Sequence, residues 1–143
     1  MLTETRINKY FGLAAHACAM SDFVGTKRVK MGSVLIYKNK VVSIGWNTSK
    51  TSVLQAEYNG LRGFDPHDNV RNTWHSEMLC LHRARNLNID WSKASLFTFR
   101  QKCDGTPGIA KPCAACSAYI RECGIKNIYY TTNEGWVHEH IEY

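Results

Sequence analysis

Two short motifs, far apart in the chain, constrain its fold more than any other feature. They are His75-Ser76-Glu77 and Pro112-Cys113-Ala114-Ala115-Cys116. Together they offer a metal one imidazole nitrogen and two sulfurs, with a carboxylate two residues from the nitrogen. Three protein ligands leave a tetrahedral zinc with one open position, the mark of a catalytic site rather than a closed structural one. Water in that position ionises near neutral pH and becomes a nucleophile. The expectation is one zinc per chain, held by His75, Cys113 and Cys116, with Glu77 beside it as a proton carrier. The competing reading is a zinc knuckle whose fourth ligand is Cys80, Cys103 or another histidine. Glu77 speaks against it, because a closed site has no use for an unligated carboxylate.

Both motifs read as helix starts. A C-x-x-C in a first turn places both sulfurs on one face. Pro112 suits the first helical position, where its missing N–H would have no intrahelical partner. The helix N-terminus also favours thiolate over thiol. The second motif's helix runs from Pro112 to about Cys123, with Gly124 as its stop. The helix opened by His75 is expected to reach about Leu87, with Glu77, Cys80, Ala84 and Leu87 on one narrow arc. That arc faces inward, and a buried carboxylate there calls for a positive partner.

The rest of the chain supplies a frame. Ile7, Tyr10, Phe11, Ala14 and Cys18 form an apolar stripe at helical spacing over residues 3–20, with Thr3 as a candidate N-cap. Polar breaks at Ser21-Asp22 and Gly25-Thr26 precede two β-rich runs, Met31–Tyr37 and Val41–Ile44. The connection Lys38-Asn39-Lys40 makes them a hairpin. No period holds from Thr48 to Trp74, although a short helix near residues 53–61 is possible. A stretch this long, ending at His75, suits a substrate-facing loop. Strands are expected at 95–99 and 125–131, and the tail from Gly135 is either a strand or a helix. Alternating strands and helices imply two right-handed crossovers and a partly parallel sheet in one α/β domain spanning 1–143. His138 and His140 in the tail read as solvated rather than as a second metal site.

The 143 residues carry a formal charge of +6, which favours anionic partners without choosing between free nucleotides and nucleic acid. No apolar run is long enough to span a membrane, and Met1–Arg6 lacks the order of a secretory signal. Six cysteines could suggest disulfides. With two of them assigned to zinc, Cys18, Cys80 and Cys123 in apolar patterns, and Cys103 in a polar loop, a reduced cytoplasmic setting is the better fit.

The pattern H-x-E followed by P-C-x-x-C resembles the zinc-dependent cytidine/deoxycytidylate deaminase superfamily. The likeness spans Met31 to Thr131, and the run from Cys116 to Tyr130 looks most like deoxycytidylate deaminases. It implies a cytidine-deaminase-like three-layer fold, a mixed β-sheet flanked by helices, and self-association into a homo-oligomer. It also implies a small-molecule nucleotide substrate, with dCMP converted to dUMP by preference. Zinc-activated hydroxide would attack C4 of cytosine, and Glu77 would shuttle the protons. Gly45-Trp46-Asn47 corresponds to the family's Gly-Tyr-Asn, which assigns substrate contact to Asn47. Ser76 stands where alanine is common, a difference expected to be neutral. The polar stretch 101–111 is longer than in many relatives and puts the choice of substrate in question. Single-stranded nucleic acid is the alternative substrate, with Trp46, Trp74 and Trp136 available to stack on bases. Another heterocycle, such as guanine or a pterin, is also open, and so is a non-catalytic zinc module.

Overall fold

The computed structural model of the protein describes residues 2–22 and 29–143; the break expected at Gly25-Thr26 lies outside them. Helix α1 spans Glu4–Ala17 and tightens into a 3₁₀ turn over Cys18–Met20. Its first turn is capped by Thr3, whose hydroxyl accepts from Arg6 N at 3.3 Å. Strands β1 (Lys30–Tyr37) and β2 (Lys40–Trp46) form the expected hairpin. Lys38 and Asn39 both have positive φ, 50° and 62°. Two left-handed central residues give the turn a twist that matches the strands it joins.

Helices α2 (Val53–Asn59), α3 (Ser76–Arg83) and α4 (Ala114–Cys123) follow, with β3 (Ser95–Gln101), β4 (Pro107–Gly108), β5 (Asn127–Thr132) and β6 (Gly135–His140). The sheet order is β2-β1-β3-β5-β6, and the two-residue β4 pairs with the end of β3. β1 is antiparallel to both β2 and β3, so β2 and β3 run the same way with β1 between them. β3 and β5 are adjacent and parallel, joined through α4. The tail is a strand, β6, antiparallel to β5. The mixed sheet flanked by helices is therefore present.

Period-two alternation sorts the strand residues into two cores. Val34, Ile36, Phe97 and Tyr129 meet Ile7, Tyr10, Phe11 and Ala14 of α1 on one face. Leu35, Leu96, Ile128 and Tyr130 meet Cys80, Leu81, Ala84 and Ile120 on the other. Phe97 anchors the first core, stacked on Tyr129 at 4.3 Å between ring centroids and approached edge-on by Tyr10 and Phe11 at 5.3 and 5.2 Å. Two glycines set how closely the helices sit. A Cβ at Gly32 would lie 2.1 Å from Ala14 O of α1, and one at Gly45 would lie 2.4 Å from Ser76 O and Cys80 N of α3.

Two helix boundaries differ from expectation. α3 ends at Arg83, where the backbone passes into tighter turns (Ala84 N on Leu81 O, Arg85 N on His82 O) and the Arg85 guanidinium donates to the terminal carbonyl His82 O at 2.7 Å. Leu87 therefore lies beyond the helix and is exposed rather than on its inner arc. α4 is capped by Cys113, which leaves Pro112 one position outside the helix, where its ring discourages extension of the helix backwards.

The stretch 48–74, which shows no period in the sequence, is ordered by polar groups. Its buried side chains are Thr48, Ser52, Gln55, Asn59, Asn72 and Thr73, while Val53, Leu61 and Val70 are exposed. Ser52 caps α2 through Gln55 N at 3.0 Å. Gln55 Nε2 donates to Asn59 Oδ1 at 3.0 Å, and Asn59 Nδ2 donates to Asn72 Oδ1 at 3.0 Å. A Thr51–Thr73 bridge closes the ends, and Tyr58 packs on Tyr119 of α4.

Candidate active site

His75 and Cys113 are the N-cap residues of α3 and α4. N-caps are usually Ser, Thr, Asp or Asn, because the side chain then bonds a free helix N–H. Here neither side chain caps its own helix, which leaves the imidazole and the thiol free to turn toward each other. Cys116, one turn into α4, is fully buried beside them.

His75 Nδ1 lies 3.6 Å from Cys113 Sγ and 3.4 Å from Cys116 Sγ. Zinc bonds of about 2.0–2.3 Å at tetrahedral angles put nitrogen and sulfur about 3.5 Å apart. The donor set and its spacing therefore fit the metal. Among the described residues this is the one grouping of three potential ligands. The Cys113 thiol is pulled down to about 3, chiefly by its hydrogen bond with Cys116 and against burial, with help from His75. Cys116 is pushed up by that same bond and by burial. Burial instead pushes the Cys18 and Cys80 thiols up to about 12, in keeping with core residues.

Glu77 is buried within electrostatic reach of His75 and Cys113. Burial raises its carboxyl above the usual range, opposed by the charge of His75 and the Ser76 hydroxyl. Ser76 Oγ donates to Glu77 Oε1 at 2.9 Å, so the side chain expected to be neutral touches the carboxylate.

Several residues around the site are invisible to motif reading. Gln55 Oε1 accepts from His75 N at 3.1 Å and ties the metal-side backbone to the polar interior of 48–74. Its signal in the sequence is the i, i+4 pair Gln55/Asn59, which only a structure reveals as buried. Arg62 Nη1 lies 3.3 Å from His75 Nε2. It borders a cavity of about 260 Å³ lined by Phe64, Val70, Arg71, Thr73 and His75. The Arg62 and Arg71 guanidiniums sit 4.5 and 4.9 Å from the Phe64 ring centre.

Asn47 lies at the end of β2, next to Thr48, whose N–H donates to Trp74 O at 3.2 Å. Its Oδ1 accepts from Met31 N at 2.8 Å and its Nδ2 donates to Val29 O at 2.9 Å, which fixes the amide plane against β1. Stretch 101–111 folds back along β3 and is pinned to β5 by Ala110 N on Thr131 O and by Thr131 Oγ1 on Gly108 O. His138 and His140 share Asn127 Oδ1 at 2.9 and 3.2 Å and stand apart from the ligand grouping.

Residues 5–132 match the family described as the cytidine and deoxycytidylate deaminase zinc-binding region. The chain belongs to this family. It is a zinc-dependent deaminase of nucleosides or nucleotides. Among solved structures, a dCMP deaminase from cyanophage S-TIM5 in complex with dCMP and dUMP matches with a TM-score of 0.63 at 20% identity, over 92% of this chain and 85% of that one. A cytidine deaminase from Burkholderia pseudomallei matches at 0.64 and 14%, over 97% and 93%. One from Mycobacterium tuberculosis matches at 0.58 and 16%, over 90% and 86%. At such identities the likeness is one of fold. No curated protein sequence matches the chain. No helix among the described residues is long and apolar enough to cross a membrane.

Proposed function

We propose that this deaminase hydrolyses the exocyclic amine of a cytosine nucleotide, with dCMP to dUMP preferred. His75, Cys113 and Cys116 would hold the zinc, which supplies Lewis acidity and lowers the pKa of water. The observation that carries the reading is the buried Glu77 carboxylate, within electrostatic reach of His75, Cys113 and Cys116. A carboxylate in that position has no packing role, but it can take a proton from the attacking water and place it on ring N3. The proton of the new C4 hydroxyl then passes by way of Glu77 to the C4 amine, which leaves as ammonia while C4 becomes a carbonyl. Asn47, its plane already fixed by two backbone bonds, keeps one N–H and one lone pair for the nucleoside.

The preference for a monophosphate rests on charge and placement. A neutral His75 that binds metal through Nδ1 carries its proton on Nε2. Nε2–H and the Arg62 guanidinium then form two donors facing one space, with Arg71 on the same cavity. An anionic oxygen satisfies that arrangement. The chain's formal +6 charge points the same way.

The test is ammonia release from cytosine, cytidine, deoxycytidine, CMP, dCMP and single-stranded DNA, at low and moderate salt. The expected result is highest kcat/KM for dCMP, with Arg62→Ala raising KM for dCMP about tenfold and leaving deoxycytidine nearly unchanged, in line with the loss of a charge-assisted contact. Activity on single-stranded DNA with none on millimolar dCMP would transfer the assignment to nucleic acid. Cytoplasmic residence and self-association belong to the same proposal, and sedimentation of the purified chain tests the second.

A further inference from the structure

Glu77 is the end of a chain of buried hydroxyls. Ser76 Oγ donates to its Oε1 at 2.9 Å, Ser33 Oγ donates to Ser76 Oγ at 2.9 Å, and Ser33 meets Thr98 Oγ1 at 2.9 Å. Ser33, Ser76 and Thr98 are 0%, 0% and 2% exposed, and Glu77 is 3% exposed. The direction of the bonds follows from counting hydrogens. Each hydroxyl has one hydrogen: that of Ser76 goes to Glu77 and that of Ser33 goes to Ser76. Thr98 must therefore donate to Ser33, and all three hydroxyls point toward the carboxylate.

This chain sits where apolar packing would otherwise be expected. Ser33 lies between Gly32 and Val34 in β1, and Thr98 lies between Phe97 and Phe99 in β3. In register, Ser33 pairs with Gly45 on one side and Thr98 on the other. The missing side chain at Gly45 lets the Ser76 backbone come close enough to the sheet for the hydroxyls to meet. Buried hydroxyls cost free energy unless bonded, and a bonded series strengthens each member by polarisation. The far end at Thr98 is closed to solvent, so the series can hold a charge but cannot conduct a proton to water.

We propose that Ser76, Ser33 and Thr98 are positioning residues: a one-way row of donors, rooted in the central strands, that fixes Glu77 Oε1 and leaves Oε2 to exchange protons with the substrate. This rests on the deaminase reading of Glu77. The test uses the zinc-loaded full chain carrying Ser76→Ala, Ser33→Ala, both together, or the near-isosteric Thr98→Val. Ser76→Ala should lower kcat about tenfold, the order of a lost hydrogen bond to a charged group, with KM changed less than about twofold and zinc content unchanged. Ser33→Ala and Thr98→Val should lower kcat less. The double variant should be no slower than Ser76→Ala, because Ser33 acts only through Ser76. In a high-resolution crystal structure of Ser76→Ala, Glu77 should occupy more than one rotamer. Wild-type kcat in Ser76→Ala overturns the proposal, as does full additivity in the double variant. If Ser76→Ala fails to fold, Thr98→Val carries the same test, and wild-type kcat there overturns it. A wild-type chain inactive on every cytosine compound, with Glu77 nevertheless loosened in Ser76→Ala, would sink the deaminase reading and keep the positioning role.

Discussion

In the proposed reaction Glu77 is the side chain on which the chemistry turns, and it can be separated experimentally from the candidate ligands beside it. Glutamine keeps its size and its acceptor oxygen but cannot carry a proton at neutral pH. Glu77→Gln is expected to fold, retain zinc and bind substrate, while kcat falls toward or beyond the upper end of about 10²–10⁴-fold. Steady-state kinetics with elemental analysis checks both halves, and loss of zinc would make Glu77 a ligand instead. Cys113→Ser should show the opposite pattern, with the metal gone and stability lowered, because metal affinity is part of the folding free energy. At this scale the candidate ligand set is legible in the sequence, since His75-x-Glu77 and Cys113-x-x-Cys116 are local spacings. The residues that hold them are not. Ser33, Thr98 and Gln55 act through bonds that close over 43, 65 and 20 residues of chain, with Thr98 reaching Ser33 rather than Glu77 directly. No local pattern announces such partners.

Among the elements, α3 is exacting, because beside its side-chain packing on the sheet its backbone sits directly on that of β2 at Gly45. Gly45→Ala places a methyl group 2.4 Å from Ser76 O and Cys80 N, both main-chain atoms with little room to move. The cost should be about 2 kcal/mol or more, as for overpacked cores. It should be accompanied by a fall in kcat, because lifting α3 moves His75 and Glu77 together. Chemical denaturation and kinetics on the same samples check this, and an unchanged midpoint would contradict the packing. The helices and strands themselves are legible where periodicity is strong, as in α1 and the β1–β2 hairpin. The boundaries are less so. α3 passes into tighter turns after Arg83, which no apolar wheel registers, and Pro112 stands outside its helix because Cys113 takes the cap.

For the molecule as a whole, zinc should couple the two halves of the site to global stability. Stripping it with a chelator is expected to lower Tm by roughly 10 °C, if the metal is normally present at about 1,000 times its Kd. A scan showing the same Tm with and without chelator would deny that coupling. The order of strands and helices makes a partly parallel α/β sheet legible before any coordinates are seen, and the family resemblance implies the three-layer plan, but the division into two apolar cores is a finding of the structure. Segment 48–74 is not legible, because its interior is made of amides and hydroxyls that mimic loop composition. That inversion has a thermodynamic consequence. When a conventional loop opens, apolar surface meets water and heat capacity rises; exposing polar surface lowers it. Opening of this segment chiefly releases Gln55, Asn59 and Asn72, so it should leave little calorimetric trace and depend only weakly on urea. The His75 amide, bonded to Gln55, would report it by hydrogen exchange, well below the denaturant concentration that unfolds the sheet.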